Sequence, residues 1–357
     1  MQRNISNISH ITRITRRALA PAAAALALTL AMPAARAAEE PVLNLYSARH
    51  YQTDEALYGN FTRATGIRIN RIEAGDEQLL ERIKSEGAMS PADVLMIVDA
   101  ARLWSAQQAG LFQSVKTPML EARIPASLRD PDGKWYGFSS RARVIVYDKA
   151  TVNPADVATY ESLAGPKVKG RVCTRSGSHP YNLSLVAALI AHNGEAKTEE
   201  WAKRVVANMA RTPRGGDTDQ IKSVAAGECG VALTNTYYYV RLMRSAKPED
   251  KAAMERVGVV FPNQSSWGTH VNIAGAAVAR HARNREAAVQ FLEYLSGDTA
   301  QRYFADGNNE YPVVVSAATE NPALVSLGRF KAETVPIGQV GANTAAVQQM
   351  LDRVGFK

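Results

Sequence analysis

Hydrophobic and polar positions follow strand and helix periods along the first third of the chain. The segment 43–47 is a predicted strand, and residues 67–72 alternate apolar and polar side chains with the period of two that a strand has. Residues 93–98 are almost wholly apolar, as expected for a buried parallel strand. The predicted helices lie between these strands: one capped by Thr53, one over 76–86 and one over 101–109. The β-α-β-α-β-α order predicts a parallel sheet with right-handed crossovers.

The same alternation returns in the second half, between two long extended runs at 139–147 and 271–279. The predicted strands there are 171–174, 231–233 and 257–261, and the predicted helices are 181–192, 201–210, 218–226, 284–294 and 344–354, the last capped by Asn343. We therefore predict an α/β fold with two lobes joined by two extended crossovers. Residues 38–140 with 274–320 form the predicted N-terminal lobe, residues 141–273 form the C-terminal lobe, and the helices in 321–357 have no assigned lobe.

The first 37 residues have the pattern of a cleavable signal peptide. A basic segment precedes an apolar, alanine-rich run, and Ala35-Arg36-Ala37 is a typical cleavage pattern. The segment contains five arginines and no acidic residue, so the formal charge of +8 falls to +3 for the remaining 320 residues. The mature chain is therefore not expected to bind nucleic acid, and the predicted location is the periplasm. No later stretch is long and apolar enough to cross a bilayer.

The two cysteines, Cys173 and Cys229, each precede a tyrosine by eight residues, namely Tyr181 and Tyr237. In an exported protein an even number of cysteines permits a disulfide. Such a bridge would join the segments that lead into these tyrosines. Two buried free thiols are the alternative.

Three consecutive tyrosines, Tyr237 to Tyr239, lie between a predicted strand and a predicted helix. Neighbouring side chains point to opposite faces of a strand and diverge by about 100° along a helix, so two adjacent phenols meet only where the backbone bends. With Asn235 as the helix N-cap, Tyr237 and Tyr238 lie in the first turn, at such a corner. The alternative is that these tyrosines are ordinary half-buried packing residues.

Two further loops carry a tyrosine just after a predicted strand: His50-Tyr51, and the loop that ends at Tyr181. In open α/β sheets, ligands bind beyond the carboxyl ends of the strands. The two loops and the tyrosine corner are therefore expected to meet in the cleft between the lobes. Four phenols converge there in this interpretation.

Phenol oxygens suit a ferric ion. Phenol has a pKa of about 10, so only a strongly polarising cation removes its proton at neutral pH, and the resulting oxygen is hard and anionic. Four phenolates around a trivalent ion leave one excess negative charge, which Arg141 would offset. His50 is a predicted neutral fifth ligand. The alternatives are an ordinary loop histidine at His50 and a hinge salt bridge at Arg141.

Several motifs together resemble the periplasmic ferric-ion-binding proteins, the substrate-binding components of ABC-type iron importers. They are, in chain order, L-Y-S-A-R-H-Y at 45–51, S-P-A-D-V at 90–94, S-S-R-A-R-V-I-V-Y at 139–147, T-Y-Y-Y at 236–239 and N-E-Y-P-V at 309–313. The resemblance extends from about Val42 to the C-terminus.

This resemblance implies a two-lobed periplasmic binding protein fold (type II, bacterial transferrin type) that closes over one ferric ion. It implies a monomer that takes up free or chelated ferric iron and passes it to an inner-membrane ABC permease. The ligand positions of the tyrosine-rich branch fall on His50, Tyr51, Tyr181, Tyr237 and Tyr238, with Tyr239 structural. Arg141 matches an arginine near the metal or its accompanying anion.

The chain departs from the family pattern at one position. Some members supply a carboxylate just after the S-P-A-D-V strand, where this chain has Val98, followed by Asp99. The departure favours the tyrosine-rich ligand set. It leaves open whether carbonate or another anion completes the shell.

Two other functions compete with ferric binding. A binding protein for a polyamine, thiamine or a phosphonate would need carboxylates or stacked aromatics in the cleft, for which only Trp135 and Tyr136 are available. A ferric-tyrosinate oxidoreductase would need more histidine ligands, and only two of the six histidines, His10 and His50, precede residue 100. Hydrolase and nucleotide-binding motifs are absent from the sequence. We therefore predict a binding protein and not an enzyme.

Overall fold

The computed structural model describes residues 40–49, 51–314 and 316–357. Its strands are β1 (Val42–Ser47), β2 (Arg68–Glu73), β3 (Val94–Val98), β4 (Tyr136–Asp148), β5 (Val172–Cys173), β6 (Val231–Asn235), β7 (Val257–Val260), β8 (Val271–Val278) and β9 (Tyr311–Pro312). The helices before β6 are α1 (Asp54–Thr65), α2 (Asp76–Glu86), α3 (Ala100–Gln108), α4 (Pro118–Arg123), α5 (Pro180–Asn193), α6 (Glu195–Ala207) and α7 (Asp217–Ala225). Those after it are α8 (Thr236–Met243), α9 (Pro248–Arg256), α10 (Arg285–Ser296), α11 (Asp298–Asn308), α12 (Pro322–Ser326), α13 (Ile337–Ala342) and α14 (Thr344–Arg353). The predicted signal peptide and His50 lie outside the described residues.

The strands follow one another in the order β2-β1-β3-β8-β4-β6-β5, with β7 and β9 also paired to β4. The first three strands are parallel, as predicted. β3, however, is antiparallel to β8 on its other edge, so the sheet is mixed. The return of the chain through β8 places a late strand between β3 and β4.

The long strand β4 connects two sheets. Its first half, up to Ala142, pairs with β8, and its second half, from Arg143, pairs with β6. β8 in turn pairs with β4 over residues 271–276 and with β3 over residues 274–278. Both long extended runs predicted from the sequence are therefore strands that link different parts of the sheet system.

Each sheet is covered on both faces by apolar side chains. In β3, Met96 packs into one cluster of buried residues and Leu95 into another. In β4, Ile145 and Val146 likewise point into two different clusters. This double burial explains why these strands are continuous apolar runs. Among the helices of the described residues, none is long and apolar enough to span a bilayer.

Three predicted helix caps, Thr53, Asn235 and Asn343, occupy the N-cap position without making the capping contact. Thr53 precedes α1, but its hydroxyl contacts the Asn308 side chain and makes no cap bond. Asn235 precedes α8, and its Oδ1 accepts from Arg143 Nη1 at 3.2 Å. The side chains of Thr53 and Asn235 therefore bond to polar groups far away in the sequence and not to the N–H groups of their own helices.

Cys173 and Cys229 form a disulfide, with Cα atoms 5.8 Å apart. Among the described residues there is no free cysteine. Cys173 ends β5, and Cys229 precedes β6, the neighbouring strand. The bridge therefore joins the two segments that lead into Tyr181 and Tyr237.

We expect the double variant Cys173→Ala/Cys229→Ala to lower the free energy of unfolding by about 2–4 kcal/mol, because the bridge closes a loop across a sequence separation of 56. Urea unfolding of the metal-free protein measures this change. Wild-type protein unfolded under reducing conditions serves as the control and should match the variant. Equal midpoints for the oxidised wild type and the variant would contradict the expectation.

Candidate metal centre

The tyrosine corner forms where β6 ends and α8 begins. Asn235 has an extended backbone and Thr236 starts the helix, so Tyr237 and Tyr238 both lie in its first turn, as predicted. Their ring centroids are 4.1 Å apart. The guanidinium of Arg241, one turn later, lies 5.8 Å from the Tyr237 ring and 5.2 Å from the Tyr238 ring. Tyr239 points away from this site and donates to the carbonyl of Val257 at 3.0 Å, in agreement with its predicted structural role.

The buried carboxylate of Asp217 holds this corner in place. Asp217 Oδ2 accepts from the backbone N–H of Asn235 at 2.8 Å and from Arg143 Nη1 at 2.7 Å. Its Oδ1 accepts from Arg175 Nη1 at 3.2 Å. One carboxylate therefore fixes the end of β6, the strand β4 and the loop before α5. The sequence analysis did not identify Asp217, because it is far in sequence from each of these partners.

Tyr181 enters the site from the first turn of α5. His179 caps this helix, and its Nδ1 accepts from the backbone N–H of Tyr181 at 3.2 Å. The hydroxyl of Tyr181 lies 3.1 Å from that of Tyr237. Burial, with Arg175 and Arg143 nearby, lowers the pKa of His179 to about 3, so the ring is neutral. Because Nδ1 accepts a hydrogen bond, the proton of the neutral ring is on Nε2.

Tyr51 follows β1 and faces the same cavity. The loop is anchored by the buried Arg49, which forms ion pairs with Asp54 at 2.9 Å and with Glu310 at 3.0 Å. The guanidinium of Arg49 lies 4.9 Å from the centre of the Tyr51 ring. Glu310, in the N-E-Y-P-V motif, thus supplies a negative charge that holds Arg49 and with it the loop after β1.

These tyrosines line one cavity of about 150 Å³. Its lining residues are Ala48, Arg49, Tyr51, Asp76, Val98, Arg102, His179, Tyr181, Tyr237, Tyr238 and Arg241. Among the described residues, no three His, Cys, Asp or Glu side chains come close enough to hold a metal ion. The oxygen donors at this cavity are therefore mainly phenols.

Without a cation, the phenols of Tyr51, Tyr181 and Tyr237 are held in their neutral form. Burial raises the pKa of Tyr181 to about 12, although the charge of Arg141 lowers it in part. Burial and the neighbouring Tyr181 raise the pKa of Tyr237 well above its usual value. The pKa of Tyr51 is also raised, by burial and by Glu310. A ligand that makes these oxygens anionic must therefore itself carry a high positive charge.

Arg141 lies behind Tyr181, with its guanidinium carbon 5.6 Å from the centre of that ring. It is buried, and none of its three guanidinium nitrogens has a hydrogen-bond partner. No acidic side chain of the described residues forms a salt bridge with it, so the hinge salt bridge considered above is not made. Burial opposes its charge, but Tyr181, Glu310 and Tyr237 outweigh burial and raise the pKa of Arg141. The guanidinium is therefore charged and has unused donors.

No free carboxylate replaces the one that some family members supply after β3. Val98 lines the cavity, while the Asp99 carboxylate caps α3 by accepting from Ala101 N at 2.8 Å. Asp76, which the sequence analysis did not single out, also lines the cavity. It is engaged with Arg102 at 2.8 Å and with the backbone N–H of Val98 at 2.8 Å.

The aromatic residues considered for an organic ligand lie in the core. Trp135 donates to Gln107 at 2.7 Å, and the hydroxyl of Tyr136 donates to the carbonyl of Val115 at 2.6 Å. Both side chains are 1% exposed. Neither lines the tyrosine cavity, so the stacking surface that the alternative solutes need is not formed by these residues.

Comparison with known proteins places these features in a family. Residues 90–332 match the family described as bacterial extracellular solute-binding protein. The chain is 50% identical over 319 residues to iron uptake protein A1 of Synechocystis, covering 89% of this chain and 88% of the relative. It is 28% identical to the major ferric iron-binding protein of Neisseria meningitidis over 93% of this chain and 97% of that one.

Solved structures agree with this assignment. An iron- and citrate-bound FutA (IdiA) protein of Trichodesmium has a TM-score of 0.86 at 51% identity, covering 88% of this chain and all of the other. The ferric binding protein of Campylobacter jejuni has a TM-score of 0.83 at 37% identity, with 88% and 100% coverage. The chain belongs to the periplasmic ferric-ion-binding branch of the extracellular solute-binding proteins. The predicted two-lobed fold is thereby confirmed, and so is the prediction that the chain is not an enzyme, because the family consists of transport proteins.

In the metal-free protein we expect Tyr181 to ionise near pH 12 instead of near pH 10. Because the pKa is higher in the folded state, the neutral phenol stabilises the fold below about pH 10, and this stabilisation is lost as the pH rises towards about 12. Tyrosinate absorption in the ultraviolet, compared between the wild type and Tyr181→Phe, isolates this group. A difference titration centred near pH 10 would contradict the expectation.

Proposed function

We propose that this protein captures ferric iron in the periplasm through the phenolate oxygens of Tyr51, Tyr181, Tyr237 and Tyr238. The observation that carries the proposal is the shared cavity of these four tyrosines, with the Tyr181 and Tyr237 hydroxyls 3.1 Å apart. Each phenol that binds the ferric ion would lose its proton to water, so binding would release protons and weaken as the pH falls. His50 adjoins Tyr51 in sequence and is the proposed fifth ligand.

The two halves of the site would close together on the ion. In this proposal residues 38–140 and 274–320 form one lobe and residues 141–273 the other, linked through β4 and β8. Tyr51 belongs to the first lobe, and the other three tyrosines belong to the second. The C-terminal segment supports both: Ile337 packs among residues of the first sheet, while Val340 and the α14 residue Met350 pack in the second. A hinge at the crossovers would exclude water from the ion.

Arg141 is proposed to balance the charge of the phenolate shell and to bind a small oxyanion such as carbonate. Its buried, unpartnered guanidinium supports this role, because such a group is costly unless an anion pairs with it. The anion would lie beside the iron on the Tyr181 side of the site.

Delivery to an inner-membrane ABC permease completes the proposed role. Membership of a family of ABC-type binding proteins implies such a partner in general terms. Cleavage of the chain after Ala37 and action as a monomer are further parts of this proposal.

Addition of ferric citrate should colour the protein through phenolate-to-iron charge transfer. We expect Tyr237→Phe/Tyr238→Phe to lose most of this absorption and to weaken ferric affinity by more than about 100-fold, since outer-shell changes alone typically cost 10–100-fold. Visible spectroscopy and competition with a chelator measure both effects. Tyr239→Phe is a matched control, because its hydroxyl bonds to Val257 outside the cavity. Full ferric affinity in the double variant would refute the ligand assignment.

If Arg141 binds an anion beside the iron, the charge-transfer band of the ferric protein should shift between bicarbonate-free and bicarbonate buffers. Arg141→Met should abolish this shift and weaken ferric binding. Arg123→Met is the control, because Arg123 bonds to Ser296 and Asp298 away from the cavity. A wild-type band that does not respond to bicarbonate would argue against carbonate at this position.

A further inference from the structure

The side chain of Asn272, on β8, connects the start of α3 with helix α5. It lies opposite Arg141 in the β4–β8 register, where the chain crosses between the sheets. Its Oδ1 accepts from the backbone N–H of Ala100 at 3.0 Å. Its Nδ2 donates to Asp99 Oδ2 and to Ser184 Oγ, both at 2.9 Å. One buried carboxamide therefore bonds to groups on both sides of the crossover.

Ser184 links Asn272 to Tyr181, one of the proposed iron ligands. It lies one turn after Tyr181 in α5, and its hydroxyl is 3.4 Å from the Tyr181 carbonyl oxygen. The same hydroxyl lies 3.0 Å from His270 Nε2. Because Ser184 is 1% exposed, no solvent can replace these partners while the helix stays packed. The position of the first turn of α5 is thus coupled to Asn272.

On its other side Asn272 bonds to Asp99, a residue with an uncommon backbone conformation. Asp99 has φ of +148°, which side chains other than glycine rarely adopt. It directly follows Val98, which lines the tyrosine cavity. The bonds from Ala101 N and Asn272 Nδ2 to its carboxylate hold it in this conformation. Loss of Asn272 would therefore also release the cavity wall at Val98.

A residue of the C-terminal segment, Glu333, holds the His270 ring in place. Its Nδ1 contacts Glu333 Oε1, and Glu333 Oε2 lies 3.0 Å from His192 Nε2. All of these side chains are buried or nearly so. In a buried polar network each member depends on the others for its partners, so the network holds or breaks largely as a unit.

We propose that Asn272 is a positioning residue for the ferric site, acting on Tyr181 through Ser184 and on the Val98 wall through Asp99. The proposal rests on the proposed iron-binding function. Through these hydrogen bonds, Asn272 holds the two sides of the cleft at the separation that suits one metal ion. Asn272 itself does not contact the iron.

The test compares Asn272→Leu, which keeps the number and branching of the side-chain heavy atoms but removes every side-chain hydrogen bond, with the milder Ser184→Ala. After loading with ferric citrate, iron release to excess EDTA should be about tenfold faster in Asn272→Leu, equivalent to ~1.4 kcal/mol. The charge-transfer band should shift, and Ser184→Ala should change both readouts in the same direction by a smaller amount.

Asn208→Leu is the matched control. Asn208 is also buried and donates to the carbonyls of Leu163 and Gly165, far from the cavity. This variant should lower the melting temperature without changing the release rate or the band. Wild-type release and an unshifted band in both Asn272→Leu and Ser184→Ala would overturn the proposal; if Asn272→Leu fails to fold, Ser184→Ala decides alone.

A second measurement separates this proposal from the proposed function. Failure of the wild type to bind iron would refute the function. Small-angle X-ray scattering of the metal-free wild type and variants still tests the positioning role, because loosened lobes should increase the radius of gyration in Asn272→Leu but not in Asn208→Leu. Equal radii in all three proteins would then overturn the proposal.

Discussion

The contacts of one buried carboxylate, Asp217, hold most of the site together. It binds the last residue of β6, the guanidinium of Arg143 on β4 and that of Arg175 before α5. These three segments must meet for Tyr181 and Tyr237 to approach within hydrogen-bond distance. Removing one partner from such a buried charged cluster leaves the others unpaired, so the cluster strongly favours a single arrangement.

The electrostatic character of the cleft follows from an excess of arginine. Arg49 and Arg102 are matched by carboxylates, whereas Arg141 has no partner and Arg241 lies over the rings of Tyr237 and Tyr238. A cleft so rich in positive charge would repel a cation if its oxygens stayed neutral. In the proposed site, the cleft would accept a metal only when the phenols ionise, and the arginines would then stabilise the anions that form.

Sequence periodicity predicted β1 to β8 and nine of the helices, because apolar patterns determine which faces are buried, but it missed α4, α9, α11, α12, α13 and β9. The strand-to-helix corner at Tyr237 followed from the run that ends at Asn235 and from the helical residues after it. The convergence of Tyr51 and Tyr181 with this corner followed from the rule that strand ends share an edge. Long-range polar pairings were not predictable in this way. Asp217 is 42 residues from Arg175 and 74 from Arg143, and no local pattern marks such partners. The same limit explains why Asn235 and Thr53 were expected to cap helices but instead bind distant side chains.

The position of β8 between β3 and β4 has a consequence for biogenesis. Residues 271–278 supply a strand in the middle of the first sheet, although β1, β2 and β3 on one side of it are complete by residue 98. The sheet therefore cannot close until about three quarters of the polypeptide has been synthesised. Pairing over so long a stretch of chain is slow and exposes apolar strands in the meantime. Until β8 has been synthesised, β3 therefore keeps an unpaired edge that only this late strand can cover.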